Sequence, residues 1–131
     1  MEKEIICVDT SVLIDYFRKK DKSKSFFYEL TKQYSLFAVS VVTEYEIYRG
    51  SNFEQDKFWD SFFEFIIVLP FDKEVDKVAV KISRELKSKN LQIDIPDIFI
   101  SATAIQNNLK LATLNKKHFE RIGTLKLIDG K

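Results

Sequence analysis

The stretch Ile5-Ile6-Cys7-Val8 is apolar at every position, stops at Asp9, and passes through Thr10 and Ser11 into a second apolar pattern, Val12-Leu13-Ile14. A short unbroken apolar run ended by polar residues predicts a buried strand followed at once by a helix. In an open parallel sheet, ligands bind beyond the carboxyl ends of the strands. Asp9 is therefore a carboxylate at a strand end suited to binding, and the next question is which other side chains reach the same edge.

The strand-then-helix alternation continues along the chain. Residues 4–8 predict a strand and 11–18 a short helix. Residues 23–33 carry Phe26, Phe27 and Leu30 at helical spacing, and 36–39 form a short apolar strand. Ser40 reads as the N-cap of a helix over 41–49, with Gly50 as its C′ residue. Residues 54–64 place Phe58, Trp59, Phe62 and Phe63 on one helical stripe, either core or a face for a partner. A buried strand over 66–69 ends at Pro70, and Asp72 caps a long helix running to Lys87. A helix over 96–107, a strand over 109–113, a short helix over 115–121 and a last strand over 125–128 complete the pattern. The alternation predicts one α/β domain over 1–131, with a central, mainly parallel sheet of about five short strands flanked by helices.

Composition sets limits on function. A chain of 131 residues is long enough for one domain with its own core. The 21 Lys and Arg against 20 Asp and Glu leave a net charge of +1, so any nucleic-acid surface is local. The single cysteine, Cys7, excludes an internal disulfide and reads as a small buried hydrophobe. The charged start, residues 1–4, leads straight into a strand and does not resemble a signal peptide. No apolar run approaches the roughly 20 residues of a membrane helix, and the expectation is a cytoplasmic protein.

Four segments can bring polar groups to the sheet edge. Asp9 is the first; it can cap the following helix, but Thr10 and Ser11 are also there to do so. Asp15 reads as a solvent-facing residue or a local helix contact. In the second segment, Glu44 and Glu46 point apart on their helix, so only one can face the site, and the local pattern leaves open which. In the third, Asp94 and Asp97 flank Pro96; Asp94 can be an N-cap and Asp97 an acid favoured by the helix dipole. Yet Asp97 opens a nearly all-apolar helix, where a carboxylate needs a cation or donors. In the fourth, Asn115 follows a strand and can cap a short helix, while His118 reads as an exposed neighbour of Lys116 and Lys117.

Taken together, these segments resemble the PIN domain, and within it the single-domain VapC-type toxin ribonucleases of toxin–antitoxin pairs. The resemblance spans essentially the whole chain. Val8-Asp9-Thr10-Ser11-Val12-Leu13-Ile14-Asp15 is similar to the family's first motif. Ser40, Thr43, Glu46, Ile47 and Gly50 stand where the second motif has Ser, Thr, Glu, Leu and Gly, which makes Glu46 the second acid. Asp97 through Ala104 resembles the third motif, and Leu111-Ala112-Thr113-Leu114-Asn115 with His118-Phe119 the fourth. The fourth departs from the pattern: His118 stands where the family often has Asp, leaving three carboxylates and an amide.

The resemblance implies an endoribonuclease that hydrolyses RNA with Mg²⁺ or Mn²⁺, hard cations that prefer oxygen ligands. Its expected catalytic set is Asp9, Glu46, Asp97 and Asn115, with Asp9 and Asp97 as metal ligands, Glu46 acting on the attacking water, and Ser11 and Thr113 in support. Arg49, Lys116, Lys117 and Arg121 are expected RNA contacts or else a solvated face; the basic run over 18–24 reads first as a solvated turn. The implied partners are an RNA substrate, a VapB-like antitoxin and a second copy of the chain. The alternative within the fold is a catalytically inactive module that binds RNA or protein. A phosphoacceptor receiver domain is set aside, because 66–69 ends without the acid that fold requires.

Overall fold

In the computed structural model, which describes residues 4–128, four parallel strands form one sheet in the order β3-β2-β1-β4. They are β1 (Ile5–Val8), β2 (Leu36–Ser40), β3 (Ile67–Leu69) and β4 (Leu111–Ala112). Seven α-helices surround them: α1 (Thr10–Arg18), α2 (Phe26–Thr31), α3 (Val41–Arg49), α4 (Phe53–Phe63), α5 (Lys73–Ser88), α6 (Ile95–Gln106) and α7 (Lys116–Phe119). None of them is long and apolar enough to cross a membrane.

β1 is central and pairs Cys7 with Ala38 on one side and with Leu111 on the other. Successive strand residues point to opposite faces. Ile6 and Val8 thus enter one core with Val12, Leu13, Phe27, Phe37 and Trp59, while Cys7 enters another with Val75, Ile82, Ile100, Leu111 and Phe119. Burial and the charge of Asp9 push the Cys7 thiol up to about 12, so it packs as an inert hydrophobe.

Local capping explains most helix boundaries. Ser40 Oγ accepts from the Val42 amide at 3.0 Å and starts α3; Asp72 accepts from Val75 at 3.0 Å and starts α5. Asn52 and Gln55 form a reciprocal capping box on α4. Gly50 is the C-cap of α3 with φ −89°, an ordinary right-handed conformation rather than the left-handed one expected of a C′ glycine.

Three segments differ from expectation. The single helix over 23–33 is a 3₁₀ turn (Lys22–Lys24) followed by α2, because Ser25 Oγ caps Tyr28 and the Asp15 carboxylate takes the Phe26 amide at 3.1 Å. The 66–69 strand is not buried: β3 is an edge strand, with Ile67 40% exposed. The expected last strand is reduced to a parallel bridge between Leu111 and Leu127, since β4 offers only two residues to pair with.

The aromatic stripe on α4 is core. Trp59 is 3% exposed and stacks on Phe17 at 5.3 Å, and Phe58 and Phe62 pack against Tyr16. Lys22, from the basic run, closes this layer: its Nζ donates to the carbonyls of Tyr16 and Phe17 at 2.7 Å each and sits 5.1 Å from the Tyr16 ring centroid. Trp59→Ala is expected to lower unfolding free energy by about 3–5 kcal/mol in urea titration, the usual cost of truncating a buried Trp. Phe65→Ala, at a side chain 83% exposed, should stay within about 0.5 kcal/mol of the parent.

Candidate active site

The carboxyl ends of β1, β2 and β4 lie side by side, and the chain turns there into α1, α3 and, past Thr113, α7. Asp9 occupies the N-cap position of α1, yet its side chain makes no capping bond. Its Oδ2 instead accepts from Ser11 Oγ at 2.7 Å and from Thr113 Oγ1 at 2.6 Å, the short distances of hydroxyls on an ionised carboxylate. The two donors are themselves held. Ser11 Oγ accepts from the Leu114 amide at 3.1 Å, and Thr113 Oγ1 from the Asn115 amide at 2.9 Å. This ring ties the β1–α1 turn to the β4–α7 turn through one carboxylate oxygen. Asp9 is only 2% exposed, and burial pushes its carboxyl above the usual range. The Thr113 and Ser11 hydroxyls and the Thr10 and Ser11 amides oppose that shift.

Glu46 reaches the same edge from α3. Thr10 Oγ1 donates to Glu46 Oε1 at 2.8 Å and shares a hydrogen bond with Thr43 Oγ1 at 3.0 Å. Thr43 and Glu46 are three apart and share a helix face, which is why Glu46 and not Glu44 turns inward. Thr10 and Thr43 were not expected to contribute to the site. The signal was present in their spacing, since a threonine one turn before Glu46 and another beside Asp9 are both placed to hold a carboxylate.

Asp97 lies in the first turn of α6 and comes close enough to Asp9 and Glu46 for their charges to act on it. Burial first, then the charges of Asp9, Glu46 and Asp94, push its carboxyl to about 6, against the opposing pull of His118. His118 Nδ1 lies 3.6 Å from Asp97 Oδ2; the His118 side chain is 48% exposed and that of Asp97 20%. His118 is thus partly exposed as expected, but it faces the acids as well as solvent.

The remaining expected residues are placed less directly. Asn115 is exposed at the rim and contributes its backbone amide; its side chain neither caps α7 nor bonds to the acids. Arg49 lines a mainly apolar cavity of about 500 Å³ with Glu46, Tyr45, Ile95, Pro96 and Phe99. Lys116 and Lys117 sit on α7 beside the rim, while Arg121 donates to the Gln92 carbonyl at 3.0 Å and braces the loop before α6. Asp15, by capping α2 and pairing with Lys19, is a structural residue.

Among the described residues, Asp9 and Glu46 have no cationic side chain paired with them, and no group of three or more His, Cys, Asp or Glu side chains is placed to hold a metal ion. Three carboxylates offering only oxygen, with this excess negative charge, suit a hard cation that takes one or two carboxylates and keeps several waters.

The PIN domain profile matches residues 6–125. The chain is 40% identical over 122 residues to Ribonuclease VapC1 of Methanocaldococcus jannaschii, covering 92% of this chain and 83% of that one. VapBC-1 from nontypeable Haemophilus influenzae superposes with a TM-score of 0.82 at 25% identity, over 95% of this chain and 97% of that one. VapBC2 from Rickettsia felis, bound to a DNA fragment from its promoter, gives 0.80 at 25% identity, over 97% and 99%.

The charge on Asp97 has a measurable consequence. A carboxylate whose folded-state value, about 6, lies above its unfolded value of 3.8 destabilises the fold once ionised. The metal-free protein should therefore lose stability as pH rises from 4 through 6. Asp97→Asn should melt a few degrees above the parent at pH 7.5, and the gap should shrink as pH falls through 6 and vanish near 4, read by differential scanning calorimetry in EDTA.

Proposed function

The chain belongs to the PIN domain family, and from that premise we propose that it is a toxin ribonuclease of the VapC kind that hydrolyses RNA phosphodiester bonds with the help of Mg²⁺ or Mn²⁺. The ribonuclease assignment rests on a relative of that name matched over nearly the full chain. The reaction rests on one observation: Asp9, Glu46 and Asp97 converge from three separate elements on the carboxyl edge of the sheet.

Asp9 and Asp97 are the residues that would hold the cation. When bound, it supplies positive charge to the attacked phosphate and to the departing oxygen. Ser11 and Thr113 hold Asp9 in a single orientation, each through a charge-assisted hydrogen bond worth about 1.5–3 kcal/mol. Thr10 holds Oε1 of Glu46 and leaves Oε2 to accept the proton of a water aligned with phosphorus. The Asn115 side-chain amide, at the rim, would orient a phosphate oxygen or that water. Arg49, Lys116 and Lys117 supply the local positive charge for the RNA backbone that a net charge of +1 does not supply overall. Arg121 contributes less directly, by fixing the loop ahead of Asp97.

The partners follow from the same assignment: an RNA substrate in the cytoplasm, a VapB-like antitoxin and a second copy of the chain. The solved VapBC structures, similar over nearly the whole chain, support the antitoxin. Exposed Tyr45 and Ile95, beside Glu46, are apolar surface of the kind a protein partner covers.

The test is cleavage of a total RNA pool by the parent and by Asp9→Asn, with Mg²⁺ or Mn²⁺ and with EDTA. Asp9→Asn should cleave about a hundredfold more slowly or less, and EDTA should stop the parent. Undiminished cleavage by the variant would overturn the assignment.

A further inference from the structure

Glu46 also borders a second cavity, of about 250 Å³, walled by Ile14, Phe17 and Arg18 of α1 and by Gln55 and Trp59 of α4. We infer, resting on the ribonuclease reading of the neighbouring acids, that this cavity takes an unpaired guanine base next to the bond to be cut, with Arg18 and Gln55 reading its acceptor edge.

Helical spacing builds the cavity. Ile14, Phe17 and Arg18 stand at i, i+3 and i+4, and Gln55 and Trp59 at i and i+4, so each set shares a helix face. Trp59 is nearly fully buried and stacks on Phe17 at 5.3 Å, which makes the apolar wall rigid. Pockets for drug-sized ligands run from about 300 to 1,000 Å³. At about 250 Å³ this one takes a smaller group, the size of a single planar base. Sequence-specific readers of RNA hold splayed bases in this manner, with hydrogen bonds on the base edge. Because Glu46 lines the same cavity, a base seated there belongs to a nucleotide at the cleavage site.

The free polar groups select the base. Gln55 Oε1 accepts from the Asn52 amide at 3.1 Å in the capping box of α4, so its NH₂ group is what remains for a ligand. Arg18 carries donors only, is exposed at the end of α1, and is in no ion pair among the described residues. The one acid of its helix, Asp15, is taken by Lys19 and by the Phe26 amide. The proton of Ser51 Oγ is spent on Asp56 Oδ1 at 2.6 Å, which leaves an acceptor for the N–H that guanine carries next to O6. Guanine presents two neighbouring acceptors, O6 and N7, and one guanidinium meets both. Adenine puts an amino donor where O6 stands, and the pyrimidines lack the pair.

The experiment is cleavage of a random-sequence RNA pool by the full chain with Mn²⁺, the cut sites being read by sequencing. The parent should favour guanine about tenfold or more at one fixed position beside the cut. Arg18→Ala should erase that preference. Gln55→Glu keeps an acceptor for the capping box, and with it the start of α4, but puts a carboxylate in place of the donor. In that variant guanine should lose its advantage to adenine or cytosine, whose amino groups donate. The readout is a ratio between sites within one sample, so a general loss of stability or rate does not move it. A profile without a guanine preference, a preference that both variants keep, or an Arg18→Ala variant that slows all sites alike, as a phosphate contact would, overturns the inference and leaves the ribonuclease reading standing. A parent that cuts no RNA overturns both.

Discussion

The structure depends on a carboxylate buried at the end of the central strand. Asp9 follows a strand paired in parallel on both sides, so it cannot move to solvent without unpairing the sheet. A buried carboxylate is costly unless it accepts hydrogen bonds. Ser11 and Thr113 meet that need, and through them the Leu114 and Asn115 amides fix the turn after β4. One oxygen of Asp9 therefore links residues 104 positions apart in the chain. The opposite sheet edge has nothing comparable, and there β3 is short and partly exposed.

Around this anchor the fold gathers negative charge that it does not itself neutralise. Glu46 is oriented by Thr10, and Asp97 is driven to ionise only near 6 by burial and by its acidic neighbours. The aromatic layer on one face of the sheet and the aliphatic layer of α5 and α6 on the other supply the stability that such a cluster costs. Destabilised groups held by a well-packed scaffold are the usual signature of a binding or catalytic site.

Much of this was legible in the chain because the signals are local. The bounds of α3 and the cap of α5 follow from Ser40 and Asp72, whose side chains bond to amides two or three residues away. The apolar run before Asp9 marks the central strand because Ile6, Cys7 and Val8 are fully buried, and Ile5 half-buried, once it is paired on both sides. What escaped local reading depends on distant partners. The helix over 23–33 breaks where the Asp15 carboxylate, eleven residues before Phe26, joins the local Ser25 cap in fixing the first turn of α2. The last strand fails because its neighbour is only two residues long.

The site divides along the same line. The sequence by itself determined which residues carry acid or amide chemistry and where each sits on its own element: Asp9 at a strand end, Glu46 or Glu44 on one helix, Asp97 at the start of another. Family resemblance selected Glu46. Only the tertiary structure decided that Asp9 is gripped rather than capping, that Thr10 holds Glu46, that Asn115 stays at the rim, and that His118 faces Asp97. The physical reason is range. Periodicity and capping act within a turn of helix, whereas a hydrogen bond between hydroxyl and carboxylate, or the repulsion between two acids, joins elements whose meeting is set by parallel strand pairing.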